Sequence, residues 1–167
     1  MREVSRICRK IIRGRAREFL LAEEERGGYS GGMKSILKVK TGKRTELVAV
    51  TSAVGRAVAQ WGDWSGMVYV FSPHTTAGVT VNEQYDPDVA RDIEMEMSKL
   101  VPWEDGYAHA EGNSGAHIRT MLTGNGVWVP VRDGRLDLGR WQGIWFCEFD
   151  GPRERELWVV PMPGGPL

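Results

Sequence analysis

The sequence of 167 residues is poor in cysteine and histidine and has no long apolar run. Its two cysteines, Cys8 and Cys147, form no CxxC pair, which indicates a reduced cytosolic chain rather than a disulfide scaffold. No run approaches the roughly 18 apolar residues that span a bilayer, and the N-terminus lacks the apolar core of a signal peptide. Lys+Arg and Asp+Glu both number 22, so there is no basic surplus to attract nucleic-acid phosphates. We therefore expect a cytoplasmic protein that binds neither membranes nor nucleic acids.

Several catalytic and cofactor motifs are also absent. The sequence contains no Walker A motif and no dinucleotide-binding glycine pattern, which argues against a nucleotide cofactor. It contains no GxSxG turn, and neither cysteine has a histidine beside it in the sequence. A hydrolase with a serine or cysteine nucleophile is therefore not supported.

Glycine and tryptophan, by contrast, are abundant, with 21 and seven residues. This is the composition of aromatic-bearing strands joined by tight turns, and Asp133-Gly134 between apolar runs is a strong hairpin signal. The β-type segments predict strands over 36–41, 46–50, 67–72, 78–82, 127–131, 141–149 and 157–161.

Three helices are predicted beyond residue 33. A short one is capped by Thr51 or Ser52 and stops at Gly62, and one or two turns follow over 116–122, after a loop. A longer helix begins at Asp86, because Asp caps a helix and Pro87 suits its first turn. Its stripe of apolar residues is expected to be buried: Val89, Ile93, Met97 and Leu100. The sequence thus predicts an α+β domain, with a mostly antiparallel sheet or sandwich and two or more helices.

Residues 1–32 differ in character from the rest. They hold eight Lys+Arg and five acidic residues, a net charge of +3, and their apolar residues recur at helical spacing. We interpret them as a basic helical extension that precedes a domain over 33–167. A helix packed on that domain, an extension upstream of a true start at Met33, a membrane-surface anchor and a nucleic-acid arm all remain open.

The three histidines, His74, His109 and His117, all lie in the middle third, beside small or polar residues. Three histidines with an open fourth position form a catalytic zinc site. Their separations match no compact motif such as HExxH, so the spacing alone is a weak signal. Each histidine could equally be an ordinary hydrogen-bonded residue.

Other residues near the three histidines could also take part in binding or catalysis. Glu148, on a strand with Trp145, would need a partner or a polar cavity, and Glu83 could serve as a base or remain solvated. Glycines around 112–115 precede a predicted helix N-terminus, which together with Arg119 or Arg135 predicts an anion site. Trp141 or Trp145 could stack on a heterocycle.

Three stretches together resemble a known family. They are His74-Thr75-Thr76-Ala77-Gly78-Val79-Thr80-Val81-Asn82-Glu83 with Asp86-Pro87, His109-x-Glu111-Gly112-Asn113 with Ala116-His117-Ile118, and Gly134-Arg135-x-x-x-Gly139-x-Trp141-Gln142-Gly143-Ile144-Trp145 with Glu148. In their order and spacing they resemble the YjbQ-like family, often described as secondary thiamine-phosphate synthases. The resemblance runs from about residue 33 to 160. Arg140 and Gly126 depart from it, where the family tends to have Thr and Ser.

The resemblance implies a homotrimer that joins a pyrimidine diphosphate to a thiazole phosphate and releases pyrophosphate. It also implies that His74, His109 and His117 line a pocket that can hold a divalent metal, zinc by ligand type or magnesium by reaction type. With Glu148 these are the catalytic candidates. The candidates for binding a small phosphorylated or anionic metabolite are Thr75, Thr76, Asn82, Glu83, Gly112, Asn113, Arg119, Arg135, Trp141 and Gln142.

Two alternatives stay open beside the synthase. The first is a metal-dependent hydrolase of a phosphorylated metabolite, because a three-histidine site suits zinc better than magnesium and a zinc-bound water can act as the nucleophile. The other is a non-catalytic trimer that binds a metal or an anion, and a closed coordination shell would distinguish it from an enzyme.

Overall fold

The computed structural model describes residues 20–24 and 34–163. Its strands are β1 (Leu20–Glu24), β2 (Ser35–Lys40), β3 (Glu46–Ala49), β4 (Gly66–Phe71), β5 (Ala77–Glu83), β6 (Gly126–Arg132), β7 (Arg135–Leu136), β8 (Gln142–Glu148) and β9 (Glu154–Pro163). Its helices are α1 (Thr51–Ala59), α2 (Pro87–Leu100) and α3 (Ser114–Thr123). Among the described residues, no helix combines the length and the apolar character that crossing a membrane requires.

The strands form two antiparallel sheets. The large sheet has the order β1-β2-β9-β4-β6-β7 and the small sheet has the order β3-β8-β5. The inner faces of the two sheets and α1 enclose the main apolar core. The outer face of the small sheet carries a second cluster with residues of α2 and α3. The predicted α+β fold with antiparallel sheets is therefore confirmed.

Strand β8 shows how its sequence fits this layered arrangement. Ile144 and Phe146 point into the main core, whereas Trp145 and Cys147 point to the outer cluster, because successive side chains of a strand face opposite sides. Both faces are covered, so the strand is apolar at nearly every position.

The predicted hairpin and one of the two predicted helix caps are observed. The other cap is not: α1 begins at Thr51, with Val50 at its N-cap and no side-chain cap. Asp133 and Gly134, with φ of 50° and 67°, join β6 to β7 as a two-residue hairpin, the conformation for which Asp-Gly is favoured. Asp86 caps α2 by accepting a hydrogen bond from the Asp88 backbone nitrogen at 2.9 Å.

Two further local predictions were wrong. The apolar stripe of α2 is only partly covered: Val89, Ile93 and Met97 are half-buried, and Leu100 is 70% exposed. Residues 20–24 form a strand antiparallel to β2, where the sequence predicted helix. The remainder of the predicted N-terminal helix lies outside the described residues.

Candidate functional site

The predicted site residues fall at the two ends of the paired strands β5 and β8. Ala77 is opposite Glu148 at one end, and Glu83 is opposite Gln142 at the other. Six steps of extended strand separate these ends by about 20 Å. We name them the His74 end, with His74, Thr75, Thr76 and Glu148, and the Trp141 end, with Asn82, Glu83, Trp141 and Gln142.

A buried ion pair lies at the centre of the His74 end. Arg155 donates from Nε to one carboxylate oxygen of Glu148 at 2.8 Å and from Nη2 to the other at 2.6 Å. Glu148 is 0% exposed and Arg155 is 6% exposed. Arg155 also donates to the Thr76 hydroxyl at 2.9 Å, so the pair joins β8, β9 and the loop before β5.

Three further donors complete the shell of Glu148. The Thr41 hydroxyl donates at 3.1 Å, and the backbone nitrogens of Phe149 and Asp150 donate at 3.1 and 2.8 Å. With both oxygens occupied by donors, the carboxylate has no free position for a reacting proton. The acid–base role predicted for Glu148 therefore does not fit its surroundings. The residue instead connects β8 to β9 through its ion pair with Arg155.

His74 lies in the loop between β4 and β5. Its Nε2 accepts a hydrogen bond from the Glu156 backbone nitrogen at 2.9 Å, directly after Arg155. Its backbone oxygen accepts from the Asn125 side chain at 2.8 Å. Burial, and then the charge of Arg155, lower the pKa of His74. A neutral imidazole whose Nε2 accepts must carry its proton on Nδ1, so His74 offers a donor and not a lone pair.

The other two histidines lie at the start of α3: His109 is in the loop before the helix and His117 is in its first turns. The rings of His109 and His117 are 5.5 Å apart at an angle of 77°, and His109 Nε2 lies 3.8 Å from a carboxylate oxygen of Glu111. Gly112 has φ of 70°, a conformation that favours glycine. His109 and Glu111 are exposed, and His117 is half-buried.

Asn113 ties that loop to the His74 end. Its side-chain nitrogen donates to an Asp150 carboxylate oxygen at 3.2 Å, and Asp150 follows Glu148 by two residues. Its side-chain oxygen is buried and has no partner among the described residues. Asn113 thus lies beside the His74 end, and its role as a binding residue stays a prediction.

The three histidines do not form a metal site within one chain. Across residues 34–163, no group of three His, Cys, Asp or Glu side chains is arranged to hold one metal ion. His74 also lacks a free lone pair, since a metal and the Glu156 N–H would compete for it. The residues of one chain therefore do not fit the expected three-histidine centre, and a divalent metal stays a prediction.

The Trp141 end forms an open groove. Asn82, Glu83, Trp141 and Gln142 line it together with Arg140, and it has a volume of about 590 Å³. Gln142 closes its own loop, because its side-chain oxygen accepts from the Gly139 backbone nitrogen at 2.8 Å. Trp141 is 57% exposed, so stacking by its indole stays a prediction, whereas Trp145 is 8% exposed in the second cluster and cannot present its ring to a ligand.

Two predicted phosphate contacts are not supported. Arg119 is 0% exposed, and its donors go to the Val101 backbone oxygen and the Thr45 hydroxyl. Burial and the neighbouring Arg44 lower the pKa of Arg119. Arg135 lies on the β6–β7 hairpin, in a surface depression with Asp133, which belongs to neither end.

Sequence reasoning missed Arg155 and Arg44. Arg155 lies within Arg153-Glu154-Arg155-Glu156, a pattern typical of a solvated strand. Its position two residues before buried Leu157 is the signal that would have indicated an inward-facing side chain. No sequence signal indicates that the Arg44 guanidinium lies 3.7 Å from the centre of the Trp103 ring.

Comparison with protein families gives one match that covers most of the described residues. A family model described as UPF0047 protein YjbQ-like matches residues 35–163. Among curated relatives, UPF0047 protein YugU of Bacillus subtilis is 44% identical over 131 residues, covering 78% of this chain and 99% of YugU. UPF0047 protein MJ1081 of Methanocaldococcus jannaschii is 45% identical over 122 residues, covering 73% and 88%.

Solved structures show the same similarity. An uncharacterised conserved protein of Clostridium acetobutylicum superposes with a TM-score of 0.73 at 45% identity, covering 75% of this chain and 98% of that one. Hypothetical protein APE1520 of Aeropyrum pernix superposes with a TM-score of 0.73 at 35% identity, covering 80% and 98%.

Proposed function

The chain belongs to the UPF0047 YjbQ-like family, and from this membership we propose that it is an enzyme for a small phosphorylated metabolite. The reaction that we propose is thiamine-phosphate synthesis, in which a pyrimidine diphosphate condenses with a thiazole phosphate. The support comes from the sequence resemblance and from the chemistry of the His74 end.

The proposed reaction needs hydrogen-bond donors more than it needs a base. The bond between the pyrimidine methylene carbon and the diphosphate oxygen breaks, and pyrophosphate leaves with the electron pair. The lone pair of the thiazole nitrogen then forms the new carbon–nitrogen bond, which gives a thiazolium cation and requires no proton removal. The protein must hold both partners in line and stabilise the leaving anion.

The hydrogen-bonding state of His74 is the observation that carries this proposal. Because Nε2 accepts from Glu156, the remaining nitrogen presents a fixed N–H. A donor fixed in advance stabilises developing negative charge without reorganisation. The buried Glu148–Arg155 pair fixes the β9 backbone that sets this direction.

The same observation weakens the hydrolase alternative. A hydrolytic histidine either takes a proton from water or binds a metal that lowers the pKa of a bound water, and both roles need a free lone pair. His74 has none in this arrangement. A non-catalytic anion-binding module remains the alternative outcome of the activity test.

We also propose that the protein is a homotrimer, as the resemblance implies. Several large apolar side chains are more than half exposed on the single chain, which is typical of a surface covered by another copy. They include Tyr85, Leu100, Met121, Leu122, Trp128 and Met162. Analytical ultracentrifugation tests this, and a monomer at micromolar concentration would contradict it.

The activity test measures thiamine phosphate formed from the two purified precursors, with and without added divalent metals. Two substitutions test the two ring nitrogens of His74 one at a time. The side-chain amide of Gln reaches the position of Nε2, and the side-chain amide of Asn reaches the position of Nδ1. His74→Gln keeps an acceptor for Glu156 but loses the donor, and we expect kcat to fall roughly 100-fold or more. His74→Asn keeps a donor and is expected to retain more activity.

Glu96→Gln, on the exposed face of α2, serves as the control with unchanged turnover. If the parent protein shows no turnover with any of the added metals, the synthase hypothesis is refuted and the non-catalytic binding module is favoured. Equal activity of the Gln and Asn variants would refute the donor role of His74.

A further inference from the structure

The outer face of the large sheet is apolar, although no helix of the described ranges covers it. Val68, Val129 and Val159 point into the main core, so their neighbours along each strand point outward. α1 lies in that core, and α2 and α3 lie on the small sheet. We define the outer face by residues that β4, β6 and β9 direct away from the core: Met67, Tyr69, Phe71, Trp128, Trp158 and Val160.

The aromatic side chains of this outer face form one continuous cluster. The ring centres of Tyr69 and Trp128 are 4.7 Å apart, and those of Tyr69 and Phe71 are 5.7 Å apart. Phe71 and Trp158 extend the cluster onto β9, with ring centres 5.7 Å apart. Trp128 is nevertheless 53% exposed. A contiguous apolar patch of this kind is typical of a surface that another segment or molecule covers.

Residues 1–19 have the pattern of a segment that covers an apolar surface. Five apolar residues follow the spacing that places side chains on one side of a helix: Val4, Ile7, Cys8, Ile11 and Ile12. A helix of this length is marginal in water unless its apolar side packs against a partner. The segment therefore needs an apolar surface, just as the outer face of the large sheet needs a cover.

The segment joins the domain at the edge of the large sheet. It leads directly into β1, whose Leu20 is opposite Lys38 of β2. Four strand spacings of about 4.8 Å separate β1 from β6, which is roughly 19 Å. A helix of the same number of residues as the segment spans about 28 Å. The segment is therefore long enough to turn at the sheet edge and to cross the aromatic cluster.

The distribution of charge favours the same contact. Residues 1–19 hold seven Lys+Arg and two acidic residues, whereas the rest of the chain holds 15 and 20. The two parts therefore carry net charges of +5 and −5, which attract one another at low to moderate ionic strength. With its apolar stripe against the sheet, the helix would direct its cationic side to solvent.

We propose that residues 1–19 form an amphipathic helix that docks on the outer face of the large sheet of the same chain. The apolar stripe, which includes Cys8, lies against Tyr69, Trp128 and their neighbours. This contact is independent of the synthase reaction. It leaves another set of exposed apolar residues, on or beside α2 and α3, for contact between copies: Tyr85, Leu100, Met121 and Leu122.

Cross-linking of the full chain with a short bismaleimide tests this contact, because a natural thiol lies in the stripe. Cys8 precedes Leu20 by 12 residues, which is about 18 Å of helix. β4 lies three strand spacings from β1, about 14 Å, so Met67→Cys on β4 places a second thiol beneath Cys8. Cys147 does not compete, because burial raises the pKa of its thiol to about 12.

Met95→Cys is the matched control, since Met95 is exposed on α2, on the opposite side of the molecule. We expect at least about fivefold more intramolecular cross-link in Met67→Cys than in Met95→Cys, because docking raises the effective concentration of the two thiols. Adding Ile7→Asp and Ile11→Asp to Met67→Cys is expected to reduce the yield to that of the control. A tethered segment without its apolar stripe does not dock.

Denaturing gel electrophoresis separates a cross-link within one chain from a cross-link between chains. Equal yields in Met67→Cys and Met95→Cys would overturn the proposal, and so would a yield that the two Asp substitutions leave unchanged. A product of twice the chain mass would overturn it too, because the segment of a neighbouring copy would then cover the face. Circular dichroism checks folding, and Val160→Cys on the adjacent strand replaces Met67→Cys should that variant misfold.

Discussion

Glu148→Gln is the substitution for which the structure gives the clearest energetic prediction. The carboxylate receives three donors at one oxygen, from Arg155, Phe149 and Asp150, and two at the other, from Arg155 and Thr41. A glutamine side chain replaces one of these oxygens with an NH₂ group. That group meets donors on either side and leaves the buried Arg155 without its counter-charge.

The magnitude follows from the burial of both partners. Removing one member of a buried ion pair costs about 3–5 kcal/mol, because the remaining charge stays desolvated. We take about 4 kcal/mol, which for a chain of this length corresponds to a fall in Tm of roughly 8–16 °C. This is a large part of the total stability of a typical domain, about 5–15 kcal/mol.

Urea denaturation followed by tryptophan fluorescence measures the change in the free energy of unfolding. Glu96→Gln is the matched control, since it removes the same charge from a pair with Lys99 whose side chains are 62–65% exposed. Exposed pairs of this kind contribute about 0–1 kcal/mol. A loss at Glu148 no greater than that at Glu96 would refute the conclusion that the Glu148–Arg155 pair holds the two sheets together.

Three further predictions concern single groups. Burial raises the pKa of the Cys147 thiol to about 12, so in a Cys8→Ser background we expect no reaction with a thiol reagent at mildly alkaline pH until urea unfolds the chain; rapid native labelling would contradict this. The pKa of His74 is lowered from 6.5, so the unfolded state binds the proton first, and stability is expected to fall as pH drops below about 6.5. His74→Gln should remove that part of the dependence, and identical pH profiles by urea denaturation would contradict it. Gly134 has φ of 67°, and an added Cβ would lie 2.5 Å from a backbone oxygen, so Gly134→Ala is expected to lose about 1–3 kcal/mol. Gly106→Ala, with φ of 65° but nothing within 4 Å, should lose less, and equal losses would refute the steric contribution.

Most of the fold was predictable because local signals agreed with the tertiary arrangement. Asp86 and Pro87 mark the start of α2, and Asp133-Gly134 marks the hairpin, through backbone geometry that acts within a few residues. The continuous apolar run of β8 predicts a strand covered on both faces. The stripe of α2 predicts a helix correctly, but periodicity does not show whether the surface beneath is filled, and here a cavity lies there.

Of the buried ion pair, the need of Glu148 for a partner was predicted, but Arg155 was missed and the pairing was not foreseen. Glu148 shares the inward face of β8 with Ile144 and Phe146, and Arg155 shares the inward face of β9 with Leu157. Strand alternation therefore identifies both as buried charges that need partners. That they pair with one another depends on how two sheets pack, which no local pattern shows. The separation of the His74 and Trp141 ends depends likewise on the register of β5 with β8.

The ion pair and the direction of the His74 donor are coupled through one stretch of β9. Arg155 is held by Glu148, and the next residue supplies the N–H that fixes Nε2 of His74. Loosening the pair should let that N–H move and release the imidazole from a single orientation. We therefore expect Glu148→Gln, assayed well below its Tm, to lower kcat for thiamine phosphate formation while changing KM little. Glu148 acts here as a positioning residue, so a loss confined to stability, with kcat unchanged in the folded variant, would contradict the coupling.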